Sequence, residues 1–261
     1  MISKVKPVVS DDEELKPWYE TWFDSPFYHI LYKERDDAEA EKFLDNLITQ
    51  IRLSKGSKIL DVACGKGRHS VYLNKKGFDV TGYDLSEQSI AHNLTLENET
   101  LHFYLHDMRE VFRTNYFDVV LNLFSSFGYF DSEHDNYRCI KSHSLALKEG
   151  GLLILDFLNT ALLREFEMRD YEKKVDGISF RISKKLAGNR IIKSIAFNFQ
   201  DKKYQFEEQI TLFEKKDFGN FFEQAGLELI DTFGNYNLDP YEANSSDRMI
   251  FIARKTVQFR K

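Results

Sequence analysis

Gly65 and Gly67 stand one residue apart, directly after the apolar run Ile59-Leu60-Asp61-Val62 and before a stretch carrying Val71, Tyr72 and Leu73. Glycines between a strand and the first turn of a helix let the backbone come close to a ligand. Asp84 closes the next apolar run, Phe78 to Tyr83, about twenty residues beyond the glycines, where a carboxylate accepts both hydroxyl hydrogens of a ribose. Together they point to an adenosine-containing ligand lying across the strand ends. A tight turn would explain the glycines alone, and a helix cap would explain Asp84 alone. The pair is more specific than either. Asn122, Phe124 and Ser125 end a later run, Phe117 to Leu123, where they either touch the same ligand or only pack.

Two residues discriminate between ligands. A dinucleotide fingerprint wants a third small residue, Gly or Ala, at the position held by Ser70, and it aims the helix N-terminus at a pyrophosphate. Asp61, expected at the mouth of the loop, would repel that diphosphate by an energy on the order of kilocalories per mole. The same carboxylate suits the ammonium and sulfonium of S-adenosyl-L-methionine, which carries no phosphate. The electrostatics favour that methyl donor as cofactor. The alternatives are an NAD(P)-type oxidoreductase on a related sheet, and a non-catalytic protein that binds S-adenosylmethionine or S-adenosylhomocysteine, since binding motifs survive loss of catalysis.

Cys64, beside Lys66 and Arg68, reads as a small filler rather than a reactive thiol. His69, His106, His134 and His143 show no metal-ligand spacing with Cys64 or Cys139, so no metal is expected. Tyr129, His134 and Asp156 lie near strand ends where a base could sit, but no spacing selects among them. No catalytic residue is assigned.

The elements that must position these residues alternate from Ser57 onward. After Asp84, Ser86 is placed to cap a helix, and a third strand, Leu101 to Leu105, ends at His106-Asp107. A helix around Tyr137 to Leu147 and the turn Glu149-Gly150-Gly151 lead into Leu152 to Phe157. Strands apolar on both faces, alternating with helices, predict an α/β fold with a parallel sheet covered on both sides. Beyond it the pattern changes. Ile178, Phe180 and Ile182 alternate with polar neighbours, as do Ile195, Phe197 and Phe199, then Tyr204, Phe206 and Ile210, with turns expected at Gly188-Asn189 and Asp201-Lys202. This predicts an inserted antiparallel meander with one solvated face. A helix from Asp217 to Gln224, stopped at Gly226, precedes two final strands.

The expected organisation is an N-terminal aromatic lid with helices over 1–50 and an α/β core over 51–170. A β cap over 171–215 and a C-terminal helix with two strands over 216–261 follow. The net charge of −6, with lysines and arginines spread along the chain, argues against nucleic acid as partner. Two cysteines imply no disulfide framework. No window approaches a membrane span and no signal peptide is read, so a cytoplasmic protein is expected. The 23 Phe and 13 Tyr promise a bulky core or an aromatic pocket, and composition does not separate the two.

The segment Asp61-Val62-Ala63-Cys64-Gly65-Lys66-Gly67 resembles the first signature motif of class I S-adenosylmethionine-dependent methyltransferases. Asp84-Leu85-Ser86 resembles the second, and His106-Asp107-Met108 the third-strand acidic motif. Asp118 to Tyr129 resembles the fourth-strand motif, and Leu147 to Gly151 the turn before strand five. Together they cover about Lys58 to Asn159, in the family's order. The resemblance implies a seven-stranded, mostly parallel Rossmann-like sheet with helices on both faces, its last hairpin reversed, and an antiparallel β insertion after strand five. The cofactor residues it and the loop chemistry imply are Asp61, Ala63, Gly65, Gly67, Asp84, Leu85, Asp107, Met108, Asn122 and Phe124. Asp107 would face the adenine amino group, with the backbone N–H of Met108 meeting the ring. Tyr28, or Tyr32 beside it, is the N-terminal tyrosine that would reach the cofactor. The implied activity is methyl transfer to an N or O of a small-molecule acceptor. The tail from Gly234 to Arg248 is also similar to enzymes of this kind.

Overall fold

The computed structural model describes residues 16–33, 37–163 and 169–256. Two short aromatic helices, α1 (Trp18–Phe23) and α2 (Pro26–Leu31), precede the longer α3 (Asp37–Gln50). There follow β1 (Lys58–Val62), α4 (Arg68–Lys75), β2 (Asp79–Asp84), α5 (Glu87–Asn93) and β3 (Leu101–Leu105). Next come β4 (Phe117–Asn122), α6 (Glu133–Ala146) and β5 (Leu147–Leu158). Four consecutive strands, β6 (Arg169–Val175), β7 (Ile178–Ala187), β8 (Arg190–Phe199) and β9 (Lys202–Thr211), lead to α7 (Lys215–Ala225), β10 (Leu227–Phe233) and β11 (Arg248–Lys255). Among the described residues no helix is long and apolar enough to cross a membrane.

The chain divides into two packing units. One contains α1, α2 and β6 to β9 as far as Gln209; the other contains α3 through β5 and resumes at Ile210. In the larger unit the strand order is β10-β11-β5-β4-β1-β2-β3. β1 pairs in parallel with β2 and β4, while β11 runs antiparallel to β5 and β10. This is the mostly parallel, seven-stranded sheet with a reversed last hairpin that the sequence predicts. Its connectivity turns back between β1 and β4, the switch point beyond whose strand ends α/β sheets bind ligands.

The residues of α3, grouped by the sequence reading with the N-terminal segment, pack with this sheet. Phe43, Leu44 and Leu47 on one face of the helix share a core with Ile59, Val80, Phe103, Leu121, Ile154 and Ile250. A separate aromatic cluster gathers Phe127, Phe157, Phe218, Phe222 and Phe251, with ring centroids 4.7 to 6.2 Å apart. The helix expected from Tyr137 begins earlier, at Glu133. The Ser132 hydroxyl accepts the Asp135 N–H, and two acidic residues occupy the first turn, where they oppose the helix dipole.

In the smaller unit the strands lie in the order β6-β7-β8-β9. The β6 strand extends the expected meander by one hairpin, turning through Asp176 and Gly177, both left-handed. The turn after β8 uses Gln200 and Asp201, one residue earlier than expected, because a two-residue type I′ turn needs left-handed backbone at both central positions. One face buries Ile178, Phe180, Ile182, Ile195 and Phe197 with Trp22, Phe27 and Leu31 of the two short helices. Arg181 and Lys185 alternate with them and are exposed.

Candidate functional site

The loop between β1 and α4 needs its two glycines for different reasons. Gly67 has φ +73°, and a Cβ there would come within 2.9 Å of the Phe103 ring and 3.2 Å of Asn93 Oδ1. Gly65, with φ +53°, would place a Cβ in open space, no atom lying within 4 Å. The first glycine exposes backbone to whatever binds; the second lets the loop settle against β3. Ala63 is also left-handed, at φ 52°. The Cys64 N–H donates to Tyr83 O at 2.9 Å, and Asn93 Nδ2 donates to Gly65 O at 2.7 Å, which fixes the loop from both sides.

Asp84, half-buried at the end of β2, accepts the Gly65 N–H on one carboxylate oxygen and the Ser86 N–H on the other, each at 2.8 Å. The carboxylate is thereby oriented on the same loop that carries the open glycine. Leu85 beside it is 37 % exposed, an apolar surface on the rim. Ser86 caps α5 by accepting the Ser89 N–H.

Asp61 lies beneath the loop rather than at its mouth, only 2 % exposed. Its side chain follows β1 inward, where Ser70 donates to Oδ2 at 2.5 Å. Burial pushes its carboxyl up to about 6, with the Asp84 charge adding to the effect and the Ser70 hydrogen bond and Arg68 opposing it. Arg68 itself pairs with Asp37 at 3.0 Å. The position where a dinucleotide fold wants Gly or Ala therefore holds a hydroxyl that binds a buried carboxylate.

Past β3, the Asp107 carboxylate is gripped by Arg109 through its backbone N–H at 2.9 Å, Nε at 3.0 Å and Nη2 at 2.6 Å. Burial alone would raise its pKa, but the Arg109 contacts hold it below the usual carboxylate value. Met108 is half-buried. Asn122, at the end of β4, is fully buried, its amide 3.2 Å from His143 Nε2 on α6. Its side chain is thus part of the sheet's interior. The next residues, Phe124 and Ser125, are both left-handed, at φ 56° and 62°. The Phe124 ring stacks 4.8 Å from His69, and the Arg68 guanidinium lies 5.0 Å from it.

Asp156 holds this turn. It is fully buried on β5 and accepts the Phe124 N–H at 2.8 Å and the Tyr236 hydroxyl at 3.3 Å on Oδ2. Arg248 meets Oδ1 through Nε at 2.8 Å and Nη2 at 2.7 Å, and also reaches the Ser125 hydroxyl. Beside this network a groove of about 600 Å³ runs between α3 and the loop before β11, with Glu39, Lys42, Tyr236 and Arg248 on its walls. Of the base candidates, Asp156 is committed to this network, and the Tyr129 hydroxyl donates to Ser125 O at 2.9 Å. His134 sits exposed in the first turn of α6. Cys64 is buried, and burial pushes its thiol well up, as suits a filler.

The larger unit therefore brings together Asp61, Ala63, Gly65, Gly67, Asp84 and Leu85 on one loop and strand end, with Asp107, Met108 and Phe124 on neighbouring strand ends. Tyr28 belongs to the smaller unit, on α2, its ring 5.6 Å from Trp22, 5.1 Å from Phe23 and 4.9 Å from Tyr32. Sequence reasoning missed Asn93, Phe103 and Arg248 as residues that shape the site. Arg248 had one signal, its place in the similar tail; Asn93 and Phe103 had none.

Residues 59–151 match the family model described as "Methyltransferase domain". The glycine/sarcosine N-methyltransferase of Aphanothece halophytica is 25 % identical over 258 residues, covering 94 % of this chain and 90 % of the relative. The dTDP-3-amino-3,4,6-trideoxy-alpha-D-glucopyranose N,N-dimethyltransferase of Streptomyces venezuelae is 27 % identical over 218 residues, covering 77 % of this chain and 89 % of the relative. A solved S-adenosylmethionine-dependent methyltransferase from Clostridium acetobutylicum shares the fold with TM-score 0.75 at 18 % identity, covering 88 % of this chain and 96 % of that one.

Proposed function

We propose that this chain, a member of the S-adenosylmethionine-dependent methyltransferases, transfers the methyl group to an amine nitrogen of a small molecule. The observation that carries the reading is the open backbone at Gly65 joined by a hydrogen bond to the Asp84 carboxylate. The amine is supported by the two relatives, whose names specify methylation at nitrogen.

The residues fit S-adenosyl-L-methionine. The open face of Gly65 admits a ligand against the backbone, where the methionine portion would lie. Asp84 would hold the ribose hydroxyls, and Leu85 and Met108 would cover the adenine. Asp107, already pinned by Arg109, would accept from the adenine amino group. Asp61 is a desolvated carboxylate that gains from a ligand ammonium. Phe124 would close the methionine end through the turn that Asp156 and Arg248 hold. Asn122 would contribute through the packing of β4.

When bound, the cofactor supplies a methyl already activated on sulfonium. The chain's part is then alignment of donor and acceptor, which by itself lowers a barrier substantially. A neutral amine brings its own lone pair, so the commitment of Asp156 to Arg248 and of Tyr129 to a carbonyl leaves the reaction unimpaired. A general base is needed only for an acceptor that arrives protonated.

The test has two stages. Calorimetric titration with S-adenosylhomocysteine, with NADH in parallel, should show micromolar binding of the first and none of the second; the reverse returns the loop to an oxidoreductase. Methyl transfer from labelled S-adenosylmethionine to members of a panel of small amines should follow. Turnover with hydroxyl acceptors alone would overturn the amine, and turnover with none of the panel would favour a non-catalytic binder.

A further inference from the structure

The smaller unit carries a row of cations on the inward-packing face of its sheet. Arg169 of β6 stands directly opposite Lys184 of β7, and Lys184 directly opposite Lys193 of β8. Their strands carry Tyr171, Ile182 and Ile195 on the next row of the same face, which merges into the buried cluster under α1 and α2. Directly opposed side chains in a sheet have Cβ atoms about 5 Å apart, and like charges there repel. Solubility does not require this arrangement, because Arg181 and Lys185 already serve the exposed face.

The Glu208 carboxylate is bonded at one end of the row, and its charge also reaches the Tyr171 phenol. Glu208 of β9 lies 3.3 Å from the Lys193 ammonium and accepts the Trp22 indole N–H at 2.8 Å and the Tyr32 hydroxyl. Lys193 also donates to the Tyr32 oxygen. Lys193 and Glu208 are 13 % and 16 % exposed, so this end of the row is largely desolvated and already paired. The middle of the row differs. Lys184 makes no ion pair among the described residues, and its ammonium lies 5.9 Å from the Tyr171 ring, which is 43 % exposed. A half-buried cation between two others, flanked by an exposed phenol, is the charge pattern that an oxygen anion completes.

We propose that the sheet of β6 to β8 binds the acidic group of a small molecule, a phosphate or a carboxylate, on Lys184 with Arg169, Lys193 and Tyr171 around it. The site lies wholly within the smaller unit and stands or falls independently of the cofactor loop. The anion replaces the counter-charge that Lys184 lacks, and the Glu208 network holds Lys193 at the edge of the site.

The experiment is a magnetic-resonance titration of the full chain with inorganic diphosphate in one arm and succinate in the other. Saturable shifts centred on β6 to β8 with diphosphate assign a phosphate, and with succinate a carboxylate. Lys184→Gln should weaken the binding by about tenfold or more, as loss of a charge-assisted contact does. Lys184→Arg should retain it. Lys185→Gln, on the opposite face of the same strand, should leave it unchanged. No saturable shift with either anion, or equal affinity in Lys184→Gln and the unaltered chain, overturns the proposal.

Discussion

Asp84 and Asp61 are carboxylates at adjacent strand ends, and their surroundings give them different work. Asp84 is oriented by two backbone N–H groups and half-exposed, so it should recognise a ribose directly. Asp84→Ala should weaken S-adenosylhomocysteine binding by about a hundredfold, the sum of two hydrogen bonds to a charged acceptor. A calorimetric affinity within about threefold of the unaltered protein would remove Asp84 from the site. Asp61 is buried, and its carboxyl stands at about 6 without a ligand. A ligand ammonium nearby would lower that value, so binding should release the Asp61 proton at mildly acid pH. Affinity should therefore be constant above about pH 7 and fall by up to about tenfold per unit below pH 6. Asp61→Asn should abolish that slope. A slope that persists in the variant would place the ligand's cation elsewhere.

The β1–α4 loop and the strands beside it show which features a sequence carries. Gly65 and Gly67 are identical as letters, but only Gly67 faces a ring at 2.9 Å. Gly67→Ala should strain the backbone and push on Phe103, costing roughly 2–4 kcal/mol in urea unfolding. Gly65→Ala carries only the backbone term, about 1–2 kcal/mol, yet sets a methyl where the cofactor would lie. Its S-adenosylhomocysteine affinity should fall more steeply than its stability; parallel losses in both variants would mean that the two glycines serve packing alike. The seven-stranded sheet was legible because its strands are apolar on both faces and its turn residues are local signals. The β6 strand was not, since Arg169 to Lys174 is charged on both faces and gives no period. Nor was the inward course of Asp61, because the partner that draws it in, Ser70, lies on the next helix and reads equally well as a misplaced glycine. The Asp156–Arg248 bond joins residues far apart in the chain, and no local pattern announces such a pair.

Across the molecule, the phenylalanine content resolves into separate cores, one around Phe218 and Phe251, the other around Phe180 and Phe197, so most of that bulk is structural. Burial of this extent also traps ionisable groups, and two of them act on stability with opposite signs. His143 is fully buried against Asn122, and burial lowers its pKa from 6.5 to about 3. The unfolded chain takes up that proton below about pH 6.5 while the native protein does not, so stability declines as the pH falls through this window. Asp61 works the other way: the native protein binds its proton first, which adds stability between about pH 6 and 4. Substituting His143 isolates its part, because Asp61 is common to both proteins. From about pH 7.5 to about pH 5 the histidine should cost roughly 2 kcal/mol, a figure set by the unfolded value alone because the folded one lies so far below. His143→Gln, which keeps an amide partner for Asn122, should lose less stability over that interval by this amount when urea unfolding is compared at the two pH values. Identical losses in both proteins would show that the imidazole is charged or solvated in the native state, and the core between β4 and α6 would then be open to water.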